Sequence, residues 1–209
     1  MAGETPKGEM RRDALTEAAA RLLVREGLHS LTHRAVAAEA GLPLAATTYY
    51  FTDLDELEAA AARRIAEHWH RESRQLVQRL RRRPRSARAI ARLCTRITLG
   101  PPDERRTLLW RSETFIDACR NERLRAVVAQ STPDSDRLLG EVLARSGHPL
   151  GPDRLEVLCA AIDGAILRSV AARTDAAPAV ERIIVAALDS LVGQEGSSVM
   201  VSPSRTVSA

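Results

Sequence analysis

The stretch LTHRAVAAEAGLPLAATTYYF, residues 31–51, decides the fold. Thr32 is the kind of side chain that caps a helix by accepting a backbone N–H. Gly41, nine residues on, supplies the left-handed conformation that ends one. Pro43 suits the first turn of a second helix, where its missing N–H has no partner to lose. Two short helices pivoting on one glycine have the spacing of a helix-turn-helix.

Counting outwards from Gly41, Val36, Ala37, Ala40 and Leu42 face inward, and Ala37 is small enough for the helices to cross closely. Pro43, Leu44, Ala45, Thr48 and Tyr49 then lie outward, with Thr47 and Tyr50 turned partly inward. Threonine and tyrosine hydroxyls on an exposed helix donate to phosphates, and their carbon bodies reach a thymine methyl. Thr32 and Arg34, at the positive end of the preceding helix, are placed for a second phosphate. The expected DNA-contacting set is Thr32, Arg34, Pro43, Leu44, Ala45, Thr47, Thr48, Tyr49 and Tyr50. The second helix carries no Arg, Lys, Asn or Gln, which excludes bidentate base reading from it. Readout is expected through apolar contacts and DNA shape, helped by Lys7, Arg11 or Arg12 in an N-terminal arm.

The rest of the chain reads as helix too. Of 209 residues, 44% are hydrophobic but only 3% aromatic, so the core must be built from Ala, Leu, Val and Ile. No sustained alternation of strand type occurs, which predicts an all-α protein of about nine helices. They are expected at Glu9 to Glu26, Thr32 to Ala40, Pro43 to Phe51, Asp53 to Arg83, Ser86 to Leu99, Pro102 to Cys119, Glu122 to Ser146 with a possible break at Pro133, Pro152 to Arg173, and Ala177 to Val192. The organisation is a flexible arm over 1–8, a three-helix helix-turn-helix module over 9–56, a ligand-binding and dimerisation bundle over 57–193, and a disordered tail over 194–209.

The net charge of +4 is too small to announce a nucleic-acid partner by itself. Basic and acidic residues balance before Tyr50, so DNA contact there must come from local placement. Cys94, Cys119 and Cys159 form neither a disulfide framework nor a metal spacing, which suits a reducing cytoplasm. The most apolar segment, Leu155 to Ala172, is interrupted by Glu156, Asp163 and Arg168 and is not a membrane span. His68 and His70 diverge on a helix, and no phosphate loop or nucleophile motif is present, so neither an enzyme nor a cofactor is implied.

Residues 31–57 also resemble the DNA-binding domain of TetR/AcrR-family transcriptional regulators, whose pattern runs approximately L-T-x-R-x-V-A-x-x-A-G-[VL]-[SP]-x-G-T-[LV]-Y-Y-x-F-x-[SD]-K-x-x-L. Leu31, Thr32, Arg34, Val36, Ala37, Ala40, Gly41, Leu42, Pro43, Tyr49, Phe51, Asp53 and Leu57 match it. Ala45 stands in place of a usual Gly, Ala46 of a phosphate-binding Thr, Thr48 of the first Tyr, and Leu54 of a backbone-gripping Lys. The resemblance implies a ligand-responsive repressor that binds double-stranded DNA at a palindromic operator as a homodimer and leaves it on meeting a small-molecule effector. A helical ligand-binding or dimerisation protein with a weakened DNA module is the alternative, motivated by Ala46 and Leu54.

Two faces of the bundle bear on those expectations. The helix from Pro152 is apolar on two sides, one of them made of mostly small residues, and such a helix must be covered on both. With the last helix, it gives an expected dimer interface of Val157, Ala161, Gly164, Leu167, Ile184, Leu188 and Leu191. An effector pocket is expected between the long fourth helix and those after it, lined by Trp69, Cys94, Leu108, Trp110, Ser112, Phe115 and Cys119, with Arg111 and Glu113 to orient a polar ligand. The arginine-rich run from Arg71 to Arg96 reads as a solvated cationic face.

Overall fold

The computed structural model describes residues 6–100 and 105–195, and among them the chain is all-helical, with nine α-helices and no strand. In order these are α1 (Pro6–Glu26), α2 (His33–Ala40), α3 (Leu44–Tyr50), α4 (Leu54–Arg79), α5 (Ala87–Leu99), α6 (Arg105–Asp117), α7 (Glu122–Arg145), α8 (Pro152–Ala172) and α9 (Ala177–Glu195), with a 3-10 turn over Leu28–Ser30.

Side chains start several of these helices. Thr32 accepts from the Ala35 N–H at 3.1 Å, Asp53 from Glu56 at 2.8 Å, and the Asn121 amide oxygen from Arg123 and Leu124. Each such cap is worth about 1 kcal/mol. Gly41 adopts the left-handed conformation at φ 65°, and the next N–H, of Leu42, returns to the Ala37 carbonyl at 2.9 Å.

Two apolar clusters hold the chain together. One gathers Leu15, Leu22, Leu23, Val36, Phe51 and Leu57 around α1, and Trp110, Leu124 and Val127 of α6 and α7 belong to the same cluster. The other is built from Ile90, Cys94, Val142, Leu143, Ile162, Ile166, Ile184 and Leu188. The most extensive helix pairings are α4 with α7 and α5 with α9. The N-terminal module therefore shares its core with the bundle, and α4 runs from one to the other without a break.

Two boundaries depart from the sequence expectation. Helix α1 begins at Pro6, so residues 6–8 are helical rather than a loose arm; proline fits a first helical turn. Residues 1–5 and 196–209, the rest of the expected arm and nearly all of the expected tail, lie outside the described residues. Helix α4 stops at Arg79, short of the expected Arg83. The chain leaves the helix to cap another: Arg83 and Arg85 donate their N–H groups to the carbonyls of Arg145 and Ser146 at 3.0 and 3.1 Å. The Arg85 guanidinium adds a bond to the Arg145 carbonyl, and Arg145 reaches back to the Leu80 carbonyl at 3.0 Å. Part of the arginine run thus satisfies orphan carbonyls at the end of α7. That helix passes unbroken through Pro133. The carbonyl deprived by Pro133 belongs to exposed Ala129, while Thr132 and Ser131 hydroxyls bond the Val128 carbonyl nearby.

Candidate DNA-reading face and effector cavity

The reading face is set by α2 and α3. Ala37 is buried at their crossing, and Pro43 caps α3 from an extended conformation. Pro43, Leu44, Ala45, Thr48 and Tyr49 are exposed, Tyr49 most of all at 80%. Tyr50 is half-buried against the N-terminal cluster and meets the Tyr49 ring edge-on at 4.9 Å. Thr47 is a correction: it is 0% exposed and its hydroxyl donates to the Leu44 carbonyl at 2.8 Å, so it faces the core. The matching pattern already holds an apolar Leu or Val at that position, a signal outweighed by the hydroxyl.

Thr32 and Arg34 are both exposed at the start of α2. The Thr32 oxygen uses a lone pair in capping, which leaves its O–H proton free to donate. The Thr48 hydroxyl rests on the Ala45 carbonyl at 3.2 Å, a weak bond that a phosphate can replace. Arg12 does not lie on this face as a free cation; it sits over the Phe51 ring at 5.1 Å and pairs with Glu56 at 3.0 Å. Leu54, in place of the lysine of the pattern, packs half-buried on the N-terminal cluster. Arg21 and Arg25 grip Glu39 at 2.9 and 3.1 Å, tying α1 to α2 and so fixing how α3 is presented.

Behind this module α4, α5, α6, α7 and α8 line a partly open cavity of about 130 Å³. Trp69, Trp110, Phe115 and Arg111 line it. The Trp69 indole N–H donates to the Ile97 carbonyl at 2.7 Å. Arg111 donates to the Thr98 carbonyl at 2.7 Å and to Asp163 at 3.0 Å, with its guanidinium carbon 5.9 Å from the Trp69 ring centre. Burial first, then repulsion by Asp136, raises the Asp163 pKa, and Arg111 pulls it back. The His70 ring bonds the Ser135 hydroxyl at 2.9 Å, and burial chiefly lowers its pKa, favouring the neutral imidazole.

Four expected lining residues lie elsewhere. Cys94 is fully buried in the second cluster, and burial holds its thiol protonated. Leu108 belongs to that cluster as well. Ser112 bonds back to the Leu108 carbonyl at 2.9 Å, and Cys119 is exposed beyond the end of α6. Helical phase accounts for Ser112, because α6 turns positions 110, 111, 114 and 115 to the cavity; Leu108 shares the phase of Phe115 but sits two turns nearer the helix start, in the second cluster, and Cys119 lies past the helix end. Glu113 points away too, its Oε2 3.9 Å from where a Cβ on Gly27 would stand. Sequence reasoning missed the wall from α7, where Ser131, Thr132, Ser135 and Asp136 line the cavity. Their signal was a polar cluster around a mid-helix proline on an otherwise amphipathic helix.

Near the start of α4, Glu58 is 7% exposed, and its Oε1 has no hydrogen-bond partner. Its pKa is raised to about 7 by burial first, then by the carboxylates of Asp117 and Asp55.

On α8, Val157 is 70% and Leu167 46% exposed, and Ala161 and Gly164 are exposed between them. Ile184 and Leu188 are corrections to the expected interface: both are buried in the chain's own second cluster, because α9 turns that stripe onto α5. The Leu191 side chain lies outside the described residues. None of the described helices is long and apolar enough to cross a membrane.

Comparison with known proteins accords with this architecture. Residues 15–61 match the family described as bacterial regulatory proteins, tetR family, and residues 81–193 match the tetracyclin repressor-like C-terminal domain. No curated protein sequence matches. Among solved structures, the multidrug binding protein EbrR complexed with ethidium superimposes with a TM-score of 0.65 at 28% identity, covering 85% of this chain and 98% of that one. A TetR transcription regulator from Haloarcula marismortui superimposes at 0.69 with 19% identity over 87% and 98% of the two chains, a likeness of fold. With both family domains in sequence and the second spanning more than half its length, the chain belongs to the TetR family of transcriptional regulators.

Proposed function

We propose that the chain is a homodimeric, ligand-responsive DNA-binding repressor working in the cytoplasm. The observation that carries this reading is the exposed edge of α3, where Thr48 and Tyr49 stand out, together with exposed Thr32 and Arg34 at the positive end of α2. Two copies joined through the apolar face of α8 would present two such edges to the half-sites of a palindrome, whose centres lie roughly 34–36 Å apart in B-DNA. The EbrR complex with ethidium supports reading the cavity as an effector site. Helix α4 lines that cavity and begins directly after α3, so an occupant favouring one tilt of α4 changes the spacing of the reading edges.

The alternative, a ligand-binding dimer with a weakened DNA module, draws on Leu54 lying half-buried against the N-terminal cluster where a lysine would grip the backbone. A gel shift with DNA from upstream of the chain's own gene separates the two. The repressor reading expects a complex that weakens steeply with salt and is released by the effector. No retention of duplex at low ionic strength refutes it.

A further inference from the structure

The electrostatics of the cavity wall specify a class of occupant, an inference that rests on reading this cavity as the effector site. Five titratable side chains line it among the described residues: His70, Arg111, Asp136, Asp163 and the Cys159 thiol. Arg111 is spent, held by the Thr98 carbonyl at 2.7 Å and by Asp163 at 3.0 Å. His70 is buried and bonded to Ser135, and its neutral form is the favoured one. Asp163 therefore has its counter-charge, and Asp136 has none among the described residues. Its partner is the Cys159 thiol, which burial and this hydrogen bond keep protonated. The two carboxylates, on facing helices α7 and α8, lie close enough to repel. The wall carries one negative charge in excess.

We propose that the cavity takes an organic monocation with an apolar aromatic body, its positive centre against Asp136 and its rings against Trp69, Trp110 and Phe115. A cation there supplies the counter-charge that the fold withholds from Asp136. A neutral molecule displaces water from that carboxylate without replacing it, which is costly. An anion meets Asp136 directly and finds Arg111 already occupied. Trp69 already receives positive charge on its face, with the Arg111 guanidinium carbon 5.9 Å from the ring centre, and the aromatic walls extend the same attraction to a ligand cation. Ser131, Thr132 and Ser135 hydroxyls on the α7 wall add dipoles that can turn their oxygens toward it.

Equilibrium dialysis of the full-length protein against three bicyclic probes of like shape tests this: cationic N-methylquinolinium, neutral methylnaphthalene and anionic naphthoate. The cation should be retained roughly tenfold or more tightly than either other probe. Asp136→Asn should abolish that preference while leaving methylnaphthalene binding unchanged, Asp136→Glu should keep it, and the exposed substitution Asp189→Asn should leave it intact. Equal or tighter retention of the neutral or anionic probe overturns the proposal. So does a preference insensitive to Asp136→Asn, or failure to retain any of the three. The order of the probes on wild-type protein decides the matter even if Asp136→Asn does not fold. Dialysis uses no DNA, so a cation preference in a chain that shifts no DNA removes the repressor reading alone, and the converse result removes the ligand class alone.

Discussion

Replacing Glu58 by Gln should stabilise the protein increasingly as pH rises above about 4.5, and fully only above about 7. The carboxyl is 7% exposed, lacks a partner at Oε1 and faces Asp117 and Asp55, so the fold disfavours its ionised form. Its pKa rises from an ordinary 4.5 to about 7. Between those values the folded chain holds a proton that the unfolded chain has lost. Stability therefore falls as pH rises through this window, and the cost is complete above the folded pKa. At 1.36 kcal/mol per pH unit the interval corresponds to about 3 kcal/mol carried by the wild type at pH 8 and absent at pH 4. Glu58→Gln keeps the shape and removes the charge. Paired thermal melts should show the variant melting higher at pH 8 by roughly 2–4 °C per kcal/mol, with the gap closing toward pH 4. A gap independent of pH, or a variant less stable at pH 8, would refute the idea that an ionised Glu58 is a burden on the fold.

The adjacent threonines separate reading from folding. Thr48→Ala should weaken operator binding by about 1–3 kcal/mol in a gel shift, whereas Thr47→Val should leave affinity alone and alter stability by about 1 kcal/mol, the worth of its bond to Leu44. Gly41→Ala should cost about 1–2 kcal/mol in a urea melt because its left-handed backbone tolerates a side chain poorly. Nothing lies within 4 Å of the added Cβ, so the cost is one of conformation and Gly41→Asn should recover most of it. Leu167→Arg should convert a dimer to a folded monomer by sedimentation velocity, while Ile184→Arg, buried on α9, should compromise folding instead.

Local signals in the sequence told their positions well. Thr32, Gly41 and Asp53 each carry the chemistry of a helix end in their own side chain or backbone freedom, and the helices start and stop near them. Residues whose role depends on helical phase between distant segments were harder. Cys94 and Ser112 looked suitable for a cavity by residue type, yet the rotation of α5 and α6 takes them away from it. Ile184 and Leu188 form an apolar stripe that fits an interface with a second copy as well as an internal core, and only the packing of α9 on α5 separates those meanings. The early end of α4 depended on the carbonyls at the end of α7, more than sixty positions away, which no pattern near Pro84 discloses. Asp136 was obscured by its neighbour Pro133, which suggested an interruption where the helix simply continues.

Both tryptophans of this chain stand in the wall of a single chamber, and nothing else in the molecule contains indole. The protein's entire red-edge ultraviolet emission therefore originates beside the volume a guest must fill. Trp69 is hydrogen-bonded and half-buried, whereas Trp110 is buried with its N–H unsatisfied, so the two fluorophores start in unlike surroundings. Occupancy can be followed optically without a label, and replacing either ring by phenylalanine assigns the signal to one side of the chamber.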